Sequence, residues 1–133
     1  GQMTRVLIFG TFDRLHPGHT FLLRSASERG ELWVVVARDE NVFRVKGRKS
    51  EQSEEKRMQA VAAAFPSAHV ILGDAQNFLA PVRSTAPDLI LLGYDQQFPP
   101  GVSLADLLCP VERLPAYKPE QYKSSLRREQ GVV

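Results

Sequence analysis

Val6-Leu7-Ile8-Phe9-Gly10-Thr11-Phe12-Asp13-Arg14-Leu15-His16-Pro17-Gly18-His19 passes from a run of strand formers, through a loop bounded by glycines, to the start of a helix. Val6 to Phe9 is apolar at every position, as a short strand buried on both faces of a parallel sheet must be, and Gly10 closes it. From His19 onward, Leu22, Leu23 and Ala26 fall at i+3, i+4 and i+7 and draw one apolar helical face, which Gly30 stops. Strand, loop and helix in this order open an α/β domain.

The same alternation continues outward. Leu32 to Ala37 is apolar and β-branched at its centre, so it predicts a second buried strand. Arg38 to Glu51 is charged and without strong periodicity, and an alanine-rich helical run from about Ser53 to Phe65 follows, stopped by Pro66. Val70-Ile71-Leu72, a short helix from about Asn77 to Arg83, Leu89 to Leu92, and Val111 to Leu114 complete the set. About five strands alternating with helices predict a Rossmann-like, doubly wound parallel sheet with helices on both faces, in a single domain. Ligands of such sheets bind beyond the carboxyl ends of the strands, where strand order reverses. The loops concerned begin at Gly10, Arg38, Gly73, Gly93 and Pro115.

At 133 residues the chain suffices for one domain with a real core. Hydrophobic residues make up 43% and charged residues 24%, which argues against disorder and fibrous classes. No apolar run approaches the roughly 20 residues of a membrane span. No basic segment precedes an apolar stretch at the N-terminus, so no signal peptide is expected, and Gly1-Gln2 before Met3 reads as a cloning remnant. A cytoplasmic protein is expected. Cys109 is the only cysteine, which excludes an internal disulfide or a cysteine zinc cluster and leaves a small buried hydrophobe as its simplest role. A net charge of +2 is too weak to indicate a nucleic-acid surface, and the basic clusters are not interleaved with base-stacking aromatics.

The chemistry concentrates in Gly10 to His19. Gly10 and Gly18 allow close backbone approach, and a helix beginning near His19 offers free N–H groups and its positive dipole end to an anion. His16 and His19, three apart, lie on one face at the helix entrance, where each can donate to phosphate oxygens. Zinc is the rival guest, but His69 and Cys109 lie in separate segments without ligand spacing.

These residues resemble the signature G-T-F-D-x-x-H-x-G-H of the short cytidylyltransferase-like nucleotidyltransferases, and residues 10 to 19 match it throughout. The resemblance runs from about Arg5 to Arg128. It implies one nucleotidyltransferase domain over residues 3–133, which transfers a nucleoside monophosphate unit from a nucleoside triphosphate to a phosphorylated acceptor and releases pyrophosphate. By the same resemblance His16, His19 and Lys46 are catalytic, with Lys46 and Arg57 facing the β- and γ-phosphates. Gly10, Thr11, Phe12, Asp13, Gly18, Gly93, Asp95, Ser124 and Ser125 are the further nucleotide and phosphate contacts. Lys46 belongs to a basic group with Arg44, Arg48 and Lys49, any of which could instead be a solvated loop cation. Ser124 and Ser125 match the family's hydroxyl pair and can begin a phosphate-receiving helix. The arginine that usually precedes that pair is absent, and Lys118 or Lys123 must substitute.

Mg²⁺ is expected with the triphosphate; no side chain is assigned to it, and Asp13 could touch the ion or simply stabilise its turn. A homodimer is implied by resemblance alone. Gly93-Tyr94-Asp95-Gln96 and Tyr122-Lys123-Ser124-Ser125 resemble the archaeal-type FAD synthase branch, which joins ATP and FMN. CTP with glycerol 3-phosphate or another phospho-alcohol is the alternative pair. A nucleotide- or flavin-binding module without catalysis is the alternative of another class, against which the intact histidine pair speaks.

Overall fold

Each apolar run of the sequence becomes a strand. In the computed structural model, which describes residues 3–98 and 102–117, the strands are β1 (Arg5–Gly10), β2 (Glu31–Val36), β3 (His69–Leu72), β4 (Leu89–Leu92) and β5 (Val111–Arg113). They form one sheet in the order β3-β2-β1-β4-β5 with every pairing parallel. The chain winds outward from β1 through β2 to β3, then returns across β1 to β4 and β5. Strand order therefore reverses between β1 and β4, and the crevice for a ligand opens there.

Helices cover both faces. On one side α1 (Pro17–Ser27) and α3 (Glu54–Ala64) pack Leu22, Leu23, Ala26 and Val61 against Val6, Ile8, Val34, Val36 and Leu91. On the other, a short helix at Leu79–Thr85 brings Val82 onto Leu7, Phe9, Val35 and Ile90. Beyond the charged first residues Arg5 and Glu31, β1, β2 and β4 carry no charged or polar side chain on either face, because both faces are covered. No helix among the described residues is long and apolar enough to cross a membrane.

One helix was not legible in the hydrophobic pattern. The charged stretch expected to be irregular contains α2 (Asp39–Lys46), so the helix at Leu79–Thr85 is α4. Only Val42 of α2 is buried, too little to print a period on the sequence. Its support is electrostatic and local: Asp39 and Glu40 occupy the first turn, Arg44 and Lys46 the last, and the helix stops at Gly47 in the left-handed conformation. Helix α1 also begins two residues before His19, at Pro17, whose fixed φ and missing N–H suit the first helical position. Cys109 is half-buried against the core around Leu7, and burial, with Asp88 nearby, raises its thiol above the ordinary range, as expected of an inert filler.

Candidate active site

A cleft of about 1450 Å³ lies over the carboxyl ends of the strands and is lined from all five of the loops that follow them. Of the residues singled out in the sequence, Gly10, Thr11, Phe12, His16, Gly18, His19, Lys46, Gly93 and Asp95 line it. Asp13 and Arg57 do not. Ser124 and Ser125, with Lys118 and Lys123, lie outside the described residues.

The two glycines of the first loop serve the protein before they serve a ligand. Phe12 sits at φ 54 and folds its fully buried ring back over the strand end, where a Cβ on Gly10 would stand 2.6 Å from that ring. A positive φ in a phenylalanine costs about 1–2 kcal/mol, so burial of the ring and outside anchors must hold it. Gly18 leaves room for a different group: a Cβ there would stand 3.0 Å from the His16 imidazole, which would have to give by a few tenths of an ångström.

His16 is the N-cap of α1, and its Nδ1 accepts from the N–H groups of Gly18 (3.1 Å) and His19 (3.4 Å). Thr20 N–H goes to the His16 carbonyl and Pro17 has none to give. The helix N-terminus therefore offers no free N–H in its first turn, contrary to expectation, because the histidine has consumed them. What it offers instead is His16 Nε2. An Nδ1 that accepts hydrogen bonds leaves the proton of the neutral ring on Nε2, so the cap fixes the tautomer and carries the donor outward from the positive helix end.

His19 stacks on His16 with ring centroids 3.7 Å apart and planes within 22°, and its other side meets the edge of Phe12 at 5.5 Å. Burial, aided by His16 and Lys46 and opposed only by Asp13, pulls its pKa down to about 4. His19 is thus a neutral donor at pH 7 rather than a cation, and its buried Nδ1 has no partner among the described residues. Arg44 and Lys46 supply positive charge from α2, and among the described residues neither is paired with a carboxylate.

Arg57 corrects the expectation most sharply. It is fully buried, and its Nε donates to Gln52 O (3.1 Å), its Nη1 to Thr11 O and Ala37 O (both 2.8 Å), and its Nη2 to Asp39 Oδ1 (2.6 Å). A buried charge needs such a set of partners, and having them it cannot also meet a phosphate. Burial would raise the Asp39 carboxyl, but hydrogen bonds from Arg57 and Glu54 N–H outweigh it and hold it low. Asp13 behaves likewise: burial opposes ionisation, yet the N–H groups of Glu51 (2.7 Å) and Gln52 (2.8 Å) keep its carboxyl below the ordinary range. It braces the first loop against the segment before α3 and does not line the cleft.

Some of the wall was missed from sequence. Arg38, Asn41 and Arg44 donate to the consecutive carbonyls of Gly73 (2.5 Å), Asp74 (2.9 Å) and Ala75 (3.2 Å), fastening the loop after β3 to α2. Phe78, which follows that loop, stacks on Phe9 at 4.6 Å and gives the cleft an apolar aromatic lobe with Val35 and Leu79. The spacing of 38, 41 and 44 on one helical face was the available signal, hidden because α2 itself was not apparent. Across the cleft, Gln96 closes its own loop by accepting from Gly93 N–H (3.1 Å) and ties it to β1 by donating to Phe9 O (2.9 Å). Tyr117 crosses from the end of β5 to lie 5.3 Å from the Phe21 ring of α1.

Residues 7–129 match the family described as cytidylyltransferase-like. The chain is 41% identical over 137 aligned positions to an FAD synthase of Methanosphaerula palustris, covering 98% of this chain and 88% of that one. It is 46% identical over 99 positions to an FAD synthase of Methanospirillum hungatei, which spans 74% of this chain and 62% of the relative. Among solved structures, a lipopolysaccharide core biosynthesis protein of Thermoplasma volcanium superposes with a TM-score of 0.77 at 32% identity, over 88% of this chain and all of that one.

Proposed function

The chain belongs to the cytidylyltransferase-like family of nucleotidyltransferases, and from that premise we propose that it is an FMN adenylyltransferase, making FAD and pyrophosphate from ATP and FMN. The observation that carries this reading is the stacked pair His16 and His19 at the head of α1, beside the point where strand order reverses. The terminal phosphate oxygen of FMN attacks the α-phosphorus of ATP in line; a new P–O bond forms as the bond to pyrophosphate breaks, and no protein nucleophile takes part. His16 Nε2 and the neutral His19 donate to the α-phosphate and its bridging oxygen as charge builds up. Lys46 faces the β- and γ-phosphates.

Arg57 acts here as a positioning residue, since by holding Thr11 O it turns the next N–H, that of Phe12, away from itself. Gly93 to Gln97 receives the nucleoside. Mg²⁺ bound to the triphosphate would neutralise part of its charge; Asp13, held by backbone N–H groups, is not assigned to it. Ser124 and Ser125 complete the phosphate end, the enzyme is a homodimer, and its compartment is the cytoplasm.

FMN is favoured over a phospho-alcohol because the lobe lined by Phe78, Val35 and Leu79 suits a flat apolar ring, which glycerol phosphate lacks. Incubation with Mg²⁺, FMN and either ATP or CTP, followed by chromatography and a pyrophosphate assay, tests the assignment. FAD from ATP is the expected result. Turnover of CTP with glycerol 3-phosphate alone would move the enzyme to the other branch, and nucleotide binding without pyrophosphate would make it a binding module.

A further inference from the structure

We propose that Arg113, on the edge strand and outside the cleft lining, is a positioning residue that sets the loop from Gly93 to Gln97 for the nucleoside of the nucleotide substrate; this rests on the FMN adenylyltransferase reading above. Arg113 Nη1 donates to three carbonyl oxygens of that loop, those of Gly93 (3.0 Å), Tyr94 (3.2 Å) and Gln96 (2.5 Å). One cationic group therefore gathers three of the loop's carbonyls on the side away from the cleft.

The consequence follows from peptide geometry. In a trans peptide the C=O and N–H point in opposite directions, and the chain has no cis peptide among the described residues. Turning the carbonyls of Gly93, Tyr94 and Gln96 toward Arg113 turns the N–H groups of Tyr94, Asp95 and Gln97 away from it. Gly93 to Gln97 line the cleft and Arg113 does not, so that N–H edge faces the ligand. The remaining two N–H groups are already used: Gln96 N–H bonds Gly93 O (3.2 Å), and Gly93 N–H bonds the Gln96 side chain. Among the described residues, no acceptor meets the N–H of Tyr94 or Asp95. Two neighbouring donors aimed the same way suit the acceptor atoms of a heterocycle or ribose hydroxyls.

Besides the turn bond from Gln96 N–H to Gly93 O, no contact among the described residues other than Arg113 holds the carbonyls of Tyr94 and Gln96. The loop is largely exposed, Tyr94 at 57%, and no buried side chain of the loop anchors it as Phe12 anchors the first. Gln96 tethers the loop to β1 through Phe9 O, which sets its distance from the histidines but not the direction of its peptides. Arg113 supplies the direction.

The test uses the full chain with Arg113→Met and Arg113→Lys. The methionine variant should raise KM for ATP about tenfold while kcat and KM for FMN stay within about twofold, because the histidine pair and the Phe78 lobe are untouched. Lysine keeps a cation with three donors on a shorter stem and should recover part of the loss. An unchanged KM for ATP, or a KM for FMN that rises instead, overturns the proposal; so does a fall in kcat alone. Amide NMR spectra of the ligand-free protein separate this outcome from failure of the functional reading. Arg113→Met should move the resonances of Gly93 to Gln97 and leave those of Gly10 to Thr20 in place, even if the wild-type protein makes no FAD, and stationary resonances at Gly93 to Gln97 refute the role of Arg113.

Discussion

Two loops meet over the switch point of the sheet, one after β1 and one after β4, and each opens on a glycine followed shortly by an aspartate. In the first, the glycine is compulsory: Phe12 packs into the space its side chain would fill, and a buried arginine, Arg57, holds the backbone from below. In the second, a methyl group at Gly93 would find its nearest neighbour 3.9 Å away, and the arginine that holds the loop, Arg113, is exposed. The same sequence cue thus marks a fixed loop that carries the proposed chemistry and an adjustable one that carries the proposed selection. Charge buried beneath a loop makes it part of the core, whereas charge on its outer side only orients it.

The contrast can be broken in several ways. The largest effect is expected at the fixed loop: His19→Ala should lower turnover at least about a hundredfold with an unchanged circular dichroism spectrum, and a variant with normal turnover would remove the mechanism. Next is Arg57→Met, which strands Asp39 and three carbonyls and should cost about 3 kcal/mol in urea unfolding. A loss near zero would mean that the first loop does not depend on its buried anchor.

Acid should expose the same difference. His19 is held neutral in the fold, with its pKa lowered from 6.5 to about 4, so between those values the unfolded chain binds more protons. Its contribution to stability is complete above about pH 6.5 and is lost as the pH falls toward 4. Unfolding curves at pH 7.5, 5.5 and 4.5 should show this decline, and His19→Gln should flatten it. The carboxyls of Asp13 and Asp39, held below 3.8, act in a separate window: their contribution is present above 3.8 and is lost only at lower pH.

The smallest effect closes the comparison. Gly10→Ala should cost about 1–3 kcal/mol through its clash with a ring that has nowhere to go. Gly93→Ala should change stability by no more than about 0.5 kcal/mol. Equal losses at the two glycines would erase the distinction between the loops.

Much of this architecture was legible in the chain. The strands were, because burial on both faces leaves continuous apolar runs such as Leu32 to Val36, and the histidine pair was, because its spacing lies within one turn. Helix α2 was not, since one buried valine leaves no periodicity, and its charges read equally well as a solvated loop. The direction of Arg57 was also hidden. Its partners Thr11 and Ala37 are 46 and 20 residues away, and an arginine that folds inward has the same neighbours in sequence as one that reaches a phosphate. Gln96 and Arg113 were silent for the same reason, being defined by contacts across 87 and up to 20 residues.

His16 has one further consequence, for descent. Asn, Asp and Ser cap a helix at least as well as any residue, so the exchange of this imidazole for one of them preserves α1 and costs the fold little. A lineage that no longer needed the reaction could shed it by a single replacement at position 16 and keep a sound, foldable nucleotide receptor, whereas the same drift at position 57 would be purged with the fold. Silent relatives of this protein are therefore expected to have lost the first histidine and kept the buried arginine.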